Sequence, residues 1–197
     1  MTELSPTATD SRAPRVRASY GAAVTVALGL LALMLRTQVL ALPDSERVVA
    51  LASVYSAILA GSLLVPVRSR DAARMAPPAV LAIGLGAVIL AAMAAGRPAA
   101  SSFAPLALPL SLLAAVAEEA LFRRAAYGWL EGYGAAVAVL GSATLFALIH
   151  VPLYGVAAFP VDLGAGLLFS WQRWASGRWE VSATTHAAAN FLAVMMR

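Results

Sequence analysis

The sequence predicts an all-α fold, a polytopic membrane helix bundle of about six to seven transmembrane helices, and three observations carry that reading. Apolar residues make up 61% and charged residues 12% of the 197 positions, with a mean hydropathy of +0.80, which is more apolar surface than a soluble domain of this size could hide. The apolar runs approach the roughly 20 residues needed to cross a hydrocarbon core. Proline, glycine and arginine interrupt those runs at regular intervals, as expected of loops between spans.

Residues 1–19, MTELSPTATDSRAPRVRAS, are polar and rich in Pro, Ser and Thr, and read as a mobile N-terminal tail. Residues 20–197 read as a single membrane-embedded domain. The first apolar run, from Tyr20 to Leu35, lacks a convincing small-residue cleavage site after it and is taken as a retained helix near 20–41. Pro43-Asp44-Ser45-Glu46 ends that helix and caps the next, near 48–67; the basic, proline-closed stretch from Arg68 to Pro78 separates it from a third, near 79–96. A fourth helix spans about 105–130. The turn Gly132-Tyr133-Gly134 leads to a fifth at 134–151, and two more follow near 159–174 and 181–196. Trp129, Trp171, Trp174 and Trp179 fall near helix ends, where indoles anchor to headgroups, and Asp162 and Glu180 read as interfacial helix caps.

Counted by alternate loops, Arg12, Arg15, Arg17, Arg68, Arg70, Arg74, Arg123, Arg124, Arg173 and Arg178 lie on one side and Arg36, Arg47, Arg97 and Arg197 on the other. That excess favours a cytoplasmic N-terminus. The net charge of +4 therefore reports topology, and no basic patch interleaved with aromatics suggests nucleic acid. Cysteine is absent, so disulfides, a thiolate nucleophile and cysteine metal sites are excluded.

Against this background Glu118 and Glu119 are conspicuous, side by side within PLALPLSLLAAVAEEALFRRAAYGWL. A charge at the centre of a membrane helix costs about 2.5–3.5 kcal/mol even on lenient insertion scales, so an intramembrane ionisable pair marks a functional site with partners to be found. Three short patterns supply them: Glu118-Glu119-x-x-x-Arg123, Phe146-x-x-x-His150 and His186-x-x-x-Asn190, each placing its polar groups on one helical face. At about 1.5 Å rise per residue, Glu118 and His150 sit at similar depth on either side of the Gly132 turn. Hydrolysis of a peptide bond needs a base for water and donors for the oxyanion. Two adjacent carboxylates repel, so one can act as base while Arg123 holds the other; Phe146 reads as packing beneath His150.

The EExxxR, FxxxH and HxxxN patterns, in this order on successive late helices, resemble the CPBP family of intramembrane proteases, which includes the CAAX-prenyl endopeptidases and the Abi bacteriocin-processing and self-immunity proteins. The resemblance covers Leu106 to Met196, with the catalytic core at about 105–197, and the glycine-bearing stretch Phe159–Leu167 also looks like that family's helix before the last motif. It implies that Glu118 activates water assisted by His150, that His186 and Asn190 stabilise the oxyanion, and that Glu119 and Arg123 shape the site. It further implies a membrane-anchored protein or peptide substrate, cut near its C-terminal sorting or anchor segment, with the enzyme in a bacterial cell membrane. The short chain looks like compact members termed myxosortases. It departs from the family in Arg124, where glycine is common, and in having three spans before the core.

Three other readings stand beside this one. Glu118 and Glu119 neutralised by Arg123 and Arg124 would lock helices together. Glutamate and two histidines could ligate zinc around an open water position, although HExxH is missing and the amide of Asn190 is a poor ligand, so no cofactor is expected. A non-catalytic immunity scaffold or small transporter would use the buried charges for structure or ion binding, yet the polar residues cluster in the C-terminal half instead of in symmetric repeats.

Overall fold

The computed structural model describes residues 12–66, 73–95 and 106–196. They form an all-α bundle of α1 (Arg12–Val39), α2 (Asp44–Leu64), α3 (Pro77–Ala95), α4 (Ala107–Glu119), α5 (Tyr127–Leu130), α6 (Ala135–Leu148), α7 (Val151–Tyr154), α8 (Phe159–Ser176) and α9 (Trp179–Met195), with no strand among the described residues. A π-helical segment, Ala120–Ala126, joins α4 to α5 without a break.

Helix α1 begins at Arg12, not at Tyr20, so the tail expected over 1–19 is helical in its second part. Hydropathy does not register this extension, because Arg and Ala propagate a helix well whether or not lipid surrounds it. Residues 1–11, and Arg68, Arg70, Arg97 and Arg197 of the orientation count, lie outside the described residues.

The breaks follow from local chemistry. Pro43 precedes α2, whose first turn carries Asp44 and Glu46 where the helix dipole favours acids. Pro77 opens α3, its fixed φ suiting a first turn. Gly134 adopts φ 115°, a left-handed value that only glycine takes at little cost, and so reverses the chain between α5 and α6.

Among the described residues, four stretches are long and apolar enough to cross a membrane: Tyr20–Val39, Asp44–Leu64, Pro77–Ala94 and Ala135–Tyr154. Their outward faces are hydrocarbon; Leu28, Val49, Leu64, Leu90 and Met93 are all exposed, as lipid-facing side chains must be. Residues 107–130 and helices α8 and α9 are not among these stretches, and they carry most of the buried polar groups. Those helices pack in the middle. Leu33, Tyr55, Leu121, Phe122, Phe146 and Phe169 form the main core, joining α1 and α2 to α4, α6 and α8.

Close approach is set by small residues. A Cβ on Gly166 would lie 2.8 Å from the carbonyl oxygen of Ala143, so α8 meets α6 backbone to backbone. The hydroxyl of Ser142 donates to the carbonyl of Phe122 at 2.9 Å, giving the widened π turn a second donor. Arg124 donates to the carbonyl of Ser62 and thereby caps the last turn of α2, which accounts for an arginine where the related pattern has glycine.

Candidate active site

Glu118 and Glu119 end α4 and are buried, as are Arg123, His150 and His186. Successive residues on a helix point about 100° apart, and the two carboxylates accordingly take different partners. Glu118 faces a cavity of about 410 Å³ whose lining includes Arg36, Tyr55, His150, His186 and Asn190. The four residues expected to act on substrate, Glu118, His150, His186 and Asn190, thus converge on one space.

Around Glu118 the contacts are polarised. Arg36 Nη1 donates to Oε1 at 2.7 Å, while Oε2 faces His150 Nε2 at 3.8 Å. His150 Nδ1 lies 2.8 Å from the carbonyl oxygen of Phe146. A carbonyl only accepts, so Nδ1 carries a proton and Nε2 is the ring atom turned toward Glu118. At 3.8 Å the two atoms are too far apart for a direct hydrogen bond and well placed to share one water.

Glu119 is sealed behind this pair. Its Oε1 accepts from Arg123 Nη1 at 2.9 Å and lies 3.0 Å from His186 Nδ1. Arg123 is fully buried; its Nη2 donates to the Gly166 carbonyl at 2.9 Å, and its guanidinium stands 4.6 Å from the ring centre of Phe146 and 5.3 Å from that of Phe169. Carboxylate, backbone carbonyl and aromatic faces together replace the water that a buried guanidinium loses. Phe146 packs against His150 with centroids 4.6 Å apart and touches the ring of His186, as expected of a residue beneath the imidazole. Phe169 stacks on His186 at 4.9 Å. Asn190 donates through Nδ2 to the carbonyl of Ser111 at 3.0 Å, which fixes the amide beside the cavity.

Two features depart from the sequence reading. Arg36, one of the loop arginines of the orientation count, is 4% exposed and paired with Glu118. The apolar run resumes after it as Val39-Leu40-Ala41-Leu42, the one sign in the sequence that Arg36 lies within a span. Arg123 and Arg173, which also belong to the orientation count, are buried as well. Arg124, proposed as a partner for the glutamates, serves α2 instead. Among the described residues no group of three or more His, Cys, Asp or Glu side chains is arranged to hold a metal ion.

No curated protein and no solved structure matches the chain. Residues 100–192, which carry all three motifs, match the family model described as type II CAAX prenyl endopeptidase Rce1-like, so this stretch of the chain is similar to the CAAX proteases.

Proposed function

We propose that the protein is a glutamate-type intramembrane endopeptidase that cuts a membrane-anchored or lipidated protein or peptide near its C-terminal anchor. The observation that carries this is the facing pair of Glu118 Oε2 and His150 Nε2, 3.8 Å apart, with the opposite nitrogen of the imidazole fixed by Phe146. A water donating to both acceptors keeps its own lone pairs free for a carbonyl carbon in the cavity. As the water attacks, Glu118 takes its proton, and the same carboxyl later returns it to the leaving amine. Asn190 Nδ2 and His186, whose Nδ1 lies against Glu119, are the groups we assign to the developing oxyanion.

A second cavity of about 690 Å³ lies between α3, α8 and α9 and is almost wholly apolar, with Ala87, Ala91, Gly164, Leu168 and Phe169 among its walls. Phe169 stacks on His186, and Ala193 lines both spaces, so hydrocarbon can lie next to the reacting bond. That supports a substrate held in the bilayer by an apolar anchor, a C-terminal sorting tail of the kind compact members process. We place the enzyme in a bacterial cell membrane with a cytoplasmic N-terminus.

The test compares membrane-anchored proteins in cells with the native gene, without it, and with Glu118→Ala. Uncut C-terminal tails should accumulate in both altered strains, and an unchanged profile would overturn the reading. Cleavage by the purified protein should survive thorough chelation; loss on chelation with recovery on added zinc would replace glutamate chemistry by a metal-bound water.

A further inference from the structure

Arg36 stands on α1, outside the stretch that matches the family model, yet it makes the shortest polar contact to Glu118. Its Nη1 donates to Glu118 Oε1 at 2.7 Å; its Nη2 reaches the carbonyl oxygen of Ile149 at 3.4 Å. Ile149 is the C-cap of α6 and immediately precedes His150. One planar guanidinium therefore touches the catalytic carboxylate and the backbone that carries the imidazole. Its rigid fork fixes the spacing of two groups in a way that a single point charge cannot.

The consequence falls on the geometry of Glu118. A free carboxylate has two equivalent oxygens and can rotate between them. With Oε1 held by Arg36, Oε2 alone remains to face His150. From this arrangement, and resting on the reading of Glu118 as the base, we infer that Arg36 is a positioning residue of the active site, which selects the oxygen that meets the nucleophilic water and sets the Glu118–His150 gap. The protease site is then not confined to the four late helices, because α1 supplies a part of it.

A merely structural ion pair and a positioning pair differ in what their loss does to kinetics. The substrate for the test is an anchored protein that accumulates uncut in Glu118→Ala cells, presented to the purified full-length protein in nanodiscs. Arg36→Met should lower kcat about 10²-fold, the scale of an ångström-sized misplacement of a reacting group, with KM unchanged within about threefold. Arg36→Lys, which keeps a charge near Oε1, should recover about tenfold of that loss. Where Arg36→Met does not fold, Arg36→Gln is judged by the same criteria. The inference is overturned by a folded neutral variant whose kcat stays within about threefold of native, by a loss that falls on KM, or by an Arg36→Lys protein no better than the neutral variant. If no tail accumulates in Glu118→Ala cells, the protease reading itself fails and this inference falls with it; tails that accumulate in Glu118→Ala cells but not in Arg36→Met cells overturn the inference alone.

Discussion

Two neighbouring carboxylates of one helix live in different surroundings. Glu118 borders a cavity, keeps one oxygen turned to a histidine 3.8 Å away, and takes its arginine from a helix 82 residues distant in sequence. Glu119 borders nothing but protein, takes its arginine from the next turn of its own helix, and holds the inner nitrogen of His186. The difference teaches how a doubled acid divides its work. One member can exchange protons with whatever enters the cavity, and the other is a buttress whose charge is spent on keeping Arg123 and His186 in place. The helix-locking reading of the pair thus describes Glu119 well.

That division makes predictions, and the largest effect belongs to the cavity side. Glu118→Gln and His150→Ala should each lower turnover by about 10² to 10⁴, as expected on losing a base or its partner. Both should remain folded; Glu118→Gln should melt somewhat below native, since Arg36 loses its counter-charge, but less than a change on the sealed side, because water in the cavity can reach that pair. A Glu118→Gln protein with nearly native turnover would transfer the role of base to Glu119 and erase the contrast.

On the sealed side the loss should appear first as stability. Glu119→Gln leaves Arg123 fully buried without its counter-charge, a change that costs about 3–5 kcal/mol. Thermal unfolding should drop well below that of Glu118→Gln; if the two variants melt alike, the two carboxylates are not divided as described.

A third measurement sharpens the comparison from the last helix. Asn190→Ala should reduce kcat by about 10² to 10³, the scale of one lost oxyanion donor, with a small effect on melting. A purely structural amide, bonded to Ser111 and no more, would instead shift stability and spare kcat.

The smallest effect is expected at Gly166. Alanine there meets backbone, the Ala143 carbonyl at 2.8 Å, which cannot move aside as a side chain would. The displaced helix should cost about 1–3 kcal/mol, read by denaturation, and should carry the Gly166 carbonyl away from Arg123.

Much of this was legible in the sequence, for physical reasons that differ from place to place. The long apolar runs and their proline and glycine stops located the helices, because a bilayer imposes length and leaves no choice of secondary structure. Glu118, His150, His186 and Asn190 were legible because charge within hydrocarbon is costly and because i, i+4 spacing shows on one strand of text. Arg36 was not. An arginine near the end of an apolar run looks the same whether it reaches headgroups or a partner on another helix, and nothing local encodes a contact across 82 residues. The π segment was hidden too, since ALFRRAA has no composition that distinguishes a widened turn from an ordinary one.

That widened turn also decides on which side the cavity opens. Within Ala120–Ala126 every side chain except that of Arg124 is buried, so this stretch of the helix is walled in on all flanks and offers lipid no face. Burial thins in the other direction, toward Ala107, where Leu110, Ser111 and Ala114 line the cavity that ends at Glu118. The cavity therefore runs along the first half of α4 and closes where the helix widens, with Glu118 at its blind end.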